Sequence, residues 1–115
     1  MTTRLTEIND WGLIEELRGN TSPLIVTVID RLNSKHAGAA RRMRELAEEW
    51  GDAAFRLIDV TENPSLRRIL RFRRLPGVVV YVRGEERRRW QGRVQKRWVE
   101  AVLAAFLLRG GPEED

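Results

Sequence analysis

His36 is the one histidine of the chain, and it stands two residues after Ser34. A hydroxyl beside an imidazole is the raw material of nucleophilic catalysis, the ring taking the proton as the oxygen attacks. The spacing speaks against it here. Residues i and i+2 of a helix do not share a face, and no nearby acid is evident to orient the ring. Lys35 beside Ser34 meets the same geometric objection. The plainer role for Asn33 or Ser34 is to cap the helix that follows, accepting from its first free N–H groups. Cysteine is absent, which removes disulfides, thiolate metal sites and thiol catalysis together. One histidine cannot build a histidine metal site within a chain, and no metal or other cofactor is expected.

Cations supply the second candidate chemistry. Nineteen of the 21 are arginine, a group that stays charged, grips carboxylate or phosphate through paired bonds and stacks on rings. Twelve of the 21 fall between residues 64 and 97 against two acids, while 1–63 and 98–115 are each net acidic and the whole carries +4. Such a stretch is either an anion-binding face or a well-solvated exterior, the commoner outcome for basic runs. With 115 residues, 42% apolar and 33% charged, the chain fits one soluble globular domain. No apolar run approaches the ~18 residues of a membrane span, and the first residues carry no apolar leader. A cytoplasmic protein without membrane attachment is expected.

These residues need a scaffold, and hydrophobic periodicity supplies one. A helix is expected over 9–18, capped by Asn9 or Asp10, with Trp11, Leu13, Ile14 and Leu17 at helical spacing and Gly19-Asn20 as its stop. Leu24–Ile29 (LIVTVI) reads as a strand buried on both faces. Helical period returns over 35–50 through Ala39, Met43, Leu46 and Trp50, closed by Gly51, and Ala54–Val60 is the next strand. Asn63 then caps a short helix with Pro64 at its first position and Leu66, Ile69 and Leu70 following. Val78–Val82 is apolar on both faces, Arg83-Gly84 is a tight turn with a positive φ at the glycine, and Arg87–Trp90 is the returning strand. A last helix covers 96–108, and 110–115 form a mobile acidic tail to a single domain spanning 1–109. Helices between the early strands imply parallel pairing, the hairpin implies an antiparallel pair, and doubly apolar strands need cover on both faces. The expected fold class is α/β, a three-layer α/β/α domain with a mixed central sheet.

The ordered set from Thr61-Glu62-Asn63-Pro64 through Arg74-Leu75-Pro76-Gly77 to the strand Val78–Val82 and the turn Arg83-Gly84-Glu85 resembles thioredoxin-like domains. That family carries a helix-opening Asn-Pro and, twelve residues later, a loop proline; Pro64 and Pro76 keep the same interval. Gly92 falls where the family keeps a glycine before its last helix. The likeness runs without a gap from about Asp59 to Leu107 and upstream through Leu24–Trp50. It implies that the family's Cys-Gly-Pro-Cys motif falls on Asn33-Ser34-Lys35-His36, that the aromatic before it is Leu32, that the buried strand acid is Thr27 and that the mid-helix proline is Arg41. Both thiols and the proton acceptor are missing, so disulfide exchange by this chain alone is chemically impossible. Pro76 resembles the family's cis-proline, which leaves the preceding backbone open to an extended peptide. Two readings stand for it, a groove that binds without reducing or a residue that only completes the fold.

The resemblance also sorts the arginines. Arg87-Arg88-Arg89 falls on the edge strand, where charge blocks edge-to-edge pairing. Arg67, Arg68 and Arg71 read as a solvated helix face. Arg31, Lys35, Arg73, Arg74 and Arg93 come from three loops that the fold gathers around the lost active site, a binding groove completed by Leu75, Pro76 and Gly92. Within the last helix, residues 101–108 (AVLAAFLL) are apolar all round; the resemblance implies that Val99, Val102, Leu103 and Leu107 face the core, leaving Trp98, Phe106 and Leu108 for the N-terminal segment, a homodimer or a partner. The expected function is a redox-inactive binding module, chaperone-like or an accessory subunit, holding a protein or extended peptide, acidic by charge, in that groove. The alternative is a nucleic-acid binder using segment 64–97, which lacks a known reader motif and has only Phe72 and Trp90 among its cations.

Overall fold

LIVTVI and the later GVVVYV send apolar side chains to both faces of a sheet, and a computed structural model describing residues 4–108 puts that sheet at the centre. The elements are β1 (Leu5–Glu7), α1 (Asp10–Gly19), β2 (Leu24–Ile29), a 3₁₀ turn (Ser34–His36), α2 (Ala37–Glu49), β3 (Ala54–Asp59), α3 (Pro64–Ile69), β4 (Gly77–Val82), β5 (Glu85–Gln91) and α4 (Lys96–Leu108). The sheet order is β1-β3-β2-β4-β5. β1 and β2 each pair parallel with β3, while β4 runs antiparallel to both β2 and β5. The expected α/β class with a mixed sheet is the observed one. Residues 110–115 and the side chain of Leu108, both given roles above, lie outside the described residues.

Helix length decides strand direction. Thirteen residues of α2 span ~20 Å, the length of a six-residue strand, so the chain returns to its starting end and β3 enters parallel. Six residues of α3 span only ~9 Å. The chain therefore re-enters the sheet near the end it left, and β4 is antiparallel, a correction to the parallel pairing expected of every early crossover. On one face Ile25, Phe55 and Val80 pack under Met43 and Leu46 of α2 and Val99 and Leu103 of α4. On the other, Val26, Val28, Ile58 and Val79 meet Leu13 of α1, Leu66 of α3 and Leu70 just after it. These two apolar layers are what hold the three-layer stack together.

Local chemistry differs from the sequence reading at several points. β1 has three residues and one buried side chain, too short to show a period. Of the two cap candidates for α1, Asn9 is the one whose side chain accepts from the Gly12 amide. The second helix opens as a 3₁₀ turn rather than running unbroken from 35. Asn63 does not cap α3 with its side chain; its Nδ2 donates instead to the Asp59 carbonyl. Trp11 is 68% exposed and Ile14 41%, so α1 docks through Leu13, with Leu17 partly buried beside it. Arg67 is no mere solvated cation, because its guanidinium reaches the carbonyls of Phe72 and Arg73 and ties α3 to the following loop. β5 begins at Glu85, two residues earlier than expected, and both Arg83 and Gly84 take positive φ in the turn before it. A side chain at residue 84 would meet the Leu17 carbonyl at 2.8 Å, so the hairpin tip needs glycine for space as well as for φ.

Candidate functional site

Register brings three loops to one end of the sheet. Val28 pairs with Gly77 and Gly77 with Gln91, so the loop after β2, the loop before β4 and the turn after β5 lie side by side. Asn33, Ser34, Lys35 and His36 come from the first, Arg73 to Pro76 from the second, and Gly92 and Arg93 from the third.

Internal hydrogen bonds close the first loop. Asp30 Oδ1 accepts from the Leu32 amide at 2.9 Å, the Asp30 carbonyl from the Asn33 amide at 2.9 Å, and Asn33 Oδ1 from the Lys35 amide at 3.0 Å. Asn33 thus caps the turn. His36 is buried at 6% exposure, and its Nδ1 accepts from the Asp30 amide at 2.9 Å. A backbone N–H can only donate, so Nδ1 carries the lone pair and the ring proton sits on Nε2. That spends the imidazole's basic nitrogen on the backbone, while Ser34 is exposed. The loop has a structural histidine and no activated hydroxyl. Leu32, where the resemblance puts an aromatic, is 86% exposed on this hydrogen-bonded loop. Beneath, on β2, Thr27 is fully buried and its hydroxyl has no partner among the described residues.

Gln91 organises the other two loops. Its Oε1 accepts from the amides of Arg73 at 2.7 Å and Arg74 at 3.3 Å, and the Gly92 amide donates to the Pro76 carbonyl at 2.8 Å. The Leu75–Pro76 peptide bond is cis, and Gly92 has φ +84°. The Arg74 guanidinium lies close over Gly92, where a Cβ would sit 3.3 Å from it. Arg73, Arg74, Arg93 and Lys35 are exposed, whereas Leu75 and Pro76 are half-buried. No sequence signal marked Gln91, because its partners are backbone amides 17 and 18 positions away.

Arg31 behaves differently from the other cations at this end. It pairs with Glu7 at 2.8 Å and lies 3.6 Å from Asp59. Glu7, Asp59 and Glu62 gather their carboxylate oxygens within 4.8 Å of one another, and the Arg31 charge answers two of the three. Burial by itself would raise the Asp59 carboxyl. Hydrogen bonds from the Thr61 hydroxyl and amide and from the Arg31 amide outweigh it, and hold the group below the ordinary carboxylate range. Asp59 is a staple for the turn into α3.

The edge arginines are engaged too. Arg89 makes two 2.7 Å bonds to Glu86, reaches the Arg71 carbonyl, and lies 4.7 Å from the centre of the Phe72 ring. The Glu86 carboxyl is held below its usual range, chiefly by that bond. Arg87 and Arg88 lie over Phe106 and Trp90.

Solved thioredoxins share this backbone. Chloroplastic thioredoxin z matches with a TM-score of 0.80 and 25% identity over 90% of this chain and 95% of that one. Reduced thioredoxin from Schistosoma mansoni matches at 0.80 with 22% identity, covering 90% and 99%. A thioredoxin variant from Halobacterium salinarum NRC-1 matches at 0.78 with 17% identity, covering 92% and 94%. No protein-family model and no curated protein matches the chain at a significant level. The chain has the thioredoxin fold and no cysteine with which to carry out its redox chemistry. Among the described residues no helix is long and apolar enough to cross a membrane.

Proposed function

We propose that this chain, a thioredoxin fold without thiols, is a redox-inactive module that holds an extended protein segment across the loops at the former active-site end. One observation carries the reading. The N–H and carbonyl of half-buried Leu75 hydrogen-bond to no described residue, although Arg74 on one side and Pro76 on the other are both engaged. An extended segment laid alongside would satisfy that donor and acceptor together. Exposed Leu32 on its pinned loop offers an apolar contact, and Lys35, Arg73, Arg74 and Arg93 favour an acidic segment. A nucleic-acid role for 64–97 has less support, because Arg89 and Arg88 lie over the rings of Phe72 and Trp90, faces that bases would need.

The test is titration of labelled protein with an acidic extended peptide, followed by amide NMR. Shifts should centre on Leu32, Leu75 and Gly92, and Arg73→Glu/Arg74→Glu/Arg93→Glu should weaken binding about tenfold or more. Shifts that avoid Leu75 would remove this reading. So would oligonucleotide binding with the steep salt dependence of phosphate contacts.

A further inference from the structure

A second groove, of about 920 Å³, lies between β5 and α4. Its floor is aliphatic, made by Ala101, Val102 and Ala105, and the rings of Trp90, Trp98 and Phe106 border it. Every charged residue on it is an arginine, namely Arg87, Arg88 and Arg97. A sheet irregularity puts two of them there. Val80 pairs with Arg88 and Tyr81 with Glu86, so Arg87 is an extra residue in the strand. A regular pleat sends consecutive side chains to opposite faces, whereas the bulge lets Arg87 and Arg88 both line the α4 side. Glu86 and Arg89, which satisfy each other, are not part of the lining. Neither Arg88 nor Arg97 has a carboxylate partner among the described residues, and Trp98 is 37% exposed.

We propose that this groove docks an acidic protein segment bearing an apolar side chain, its carboxylates on Arg88 and Arg97 and the apolar group on the alanine–valine floor. Charge complementarity selects the occupant. Guanidiniums of Arg88 and Arg97 that lack a carboxylate, beside an aliphatic floor, match carboxylates flanking a hydrophobic anchor, with paired hydrogen bonds to each carboxylate. A nucleic-acid strand needs open ring faces, and two of the three rings already carry a guanidinium, at 5.8 Å on Phe106 and 5.9 Å on Trp90. Phosphate contacts would also leave the aliphatic floor uncovered. This surface is separate from the Leu75 site and stands whether or not that site binds.

The probe is a synthetic peptide with glutamates flanking a central Leu-Phe pair, titrated into the full chain while the indole N–H signals of Trp90 and Trp98 are followed by NMR. Both indoles should shift. Arg88→Glu/Arg97→Glu should weaken binding about tenfold or more, the glutamine pair by less, and Ala101→Glu should abolish it by filling the floor. The milder Arg88→Gln/Arg97→Gln decides the matter should the reversal fail to fold. Arg73→Glu/Arg74→Glu/Arg93→Glu should leave the indole shifts in place, which separates this site from the loop site. Four results would overturn the proposal. They are shifts confined to residues 73–76 and 92–93, affinity indifferent to Arg88 and Arg97, an oligonucleotide that displaces the peptide, and sedimentation showing a second copy of the chain seated on the groove instead.

Discussion

Replacing Thr27 with valine should make this protein more stable, although it exchanges one residue of the sheet centre for another. Thr27 is 0% exposed between Leu57 of β3 and Val78 of β4, and its hydroxyl has no hydrogen-bond partner among the described residues. A buried, unpaired hydroxyl costs about 1–3 kcal/mol on protein mutational scales. Valine puts a methyl group of similar size where the hydroxyl stood, so the change in packing is small beside the hydroxyl's desolvation cost. The net expectation is a gain of about 1–2 kcal/mol. For a domain of this length that raises Tm by roughly 4–8 °C. Urea unfolding should show a higher midpoint with the same slope, since the surface exposed on unfolding does not change. Thr27→Ser is the control. It keeps the hydroxyl, deletes a methyl group and should lose about 1 kcal/mol. A valine variant that is no more stable than the parent would show that the hydroxyl is satisfied, and the assignment of Thr27 as an orphan would be wrong.

Three further outcomes follow from the same geometry. Asp59→Asn should cost about 2 kcal/mol at neutral pH, because the carboxylate loses charge-assisted bonds from Thr61 and Arg31. Since the folded carboxyl titrates below its unfolded value of about 3.9, its contribution is whole above that pH and fades as pH falls through the folded value, so the gap between parent and variant in urea melts should close only in that acid range. Gly77→Ala would place a Cβ 2.4 Å from the buried Phe72 ring and should destabilise by about 1–3 kcal/mol; unchanged denaturant melts would mean the ring moves freely. The parent should not accelerate insulin reduction, whereas Asn33→Cys/His36→Cys, spanning the turn closed by the His36 amide on the Asn33 carbonyl at 3.0 Å, should form a reversible disulfide with weak activity. Equal activity from Ser34→Cys/Ala37→Cys would place the motif register elsewhere.

The elements with a strong local period are readable from the chain alone. β2 and β4 declare themselves as doubly buried strands because both of their faces are apolar, and α2 because Ala39, Met43, Leu46 and Ala47 recur at helical spacing and are all buried. The absence of cysteine settles the lost redox chemistry without any coordinates. Gly84 marks its turn because few other residues tolerate that φ. In each case the information is local, a side chain acting on its own backbone or on one face of its own element.

Contacts between distant segments are a different matter. β1 has one buried side chain and becomes a strand only because β3 supplies its hydrogen bonds. Arg31 looks like one of several loop cations until Glu7 and Asp59, 24 and 28 positions away, claim it. Gln91 is an unremarkable strand end until register sets it against the amides of Arg73 and Arg74. His36 reads as a candidate base until the Asp30 amide takes its lone pair. The bulge that lets Arg87 and Arg88 both line one groove exists only in the pairing of β4 with β5. Periodicity tells a side chain which face to take, because the backbone repeat dictates that within a few residues. Which partner it meets there depends on sheet order and register, and those emerge only when the whole set of strands and helices packs at once.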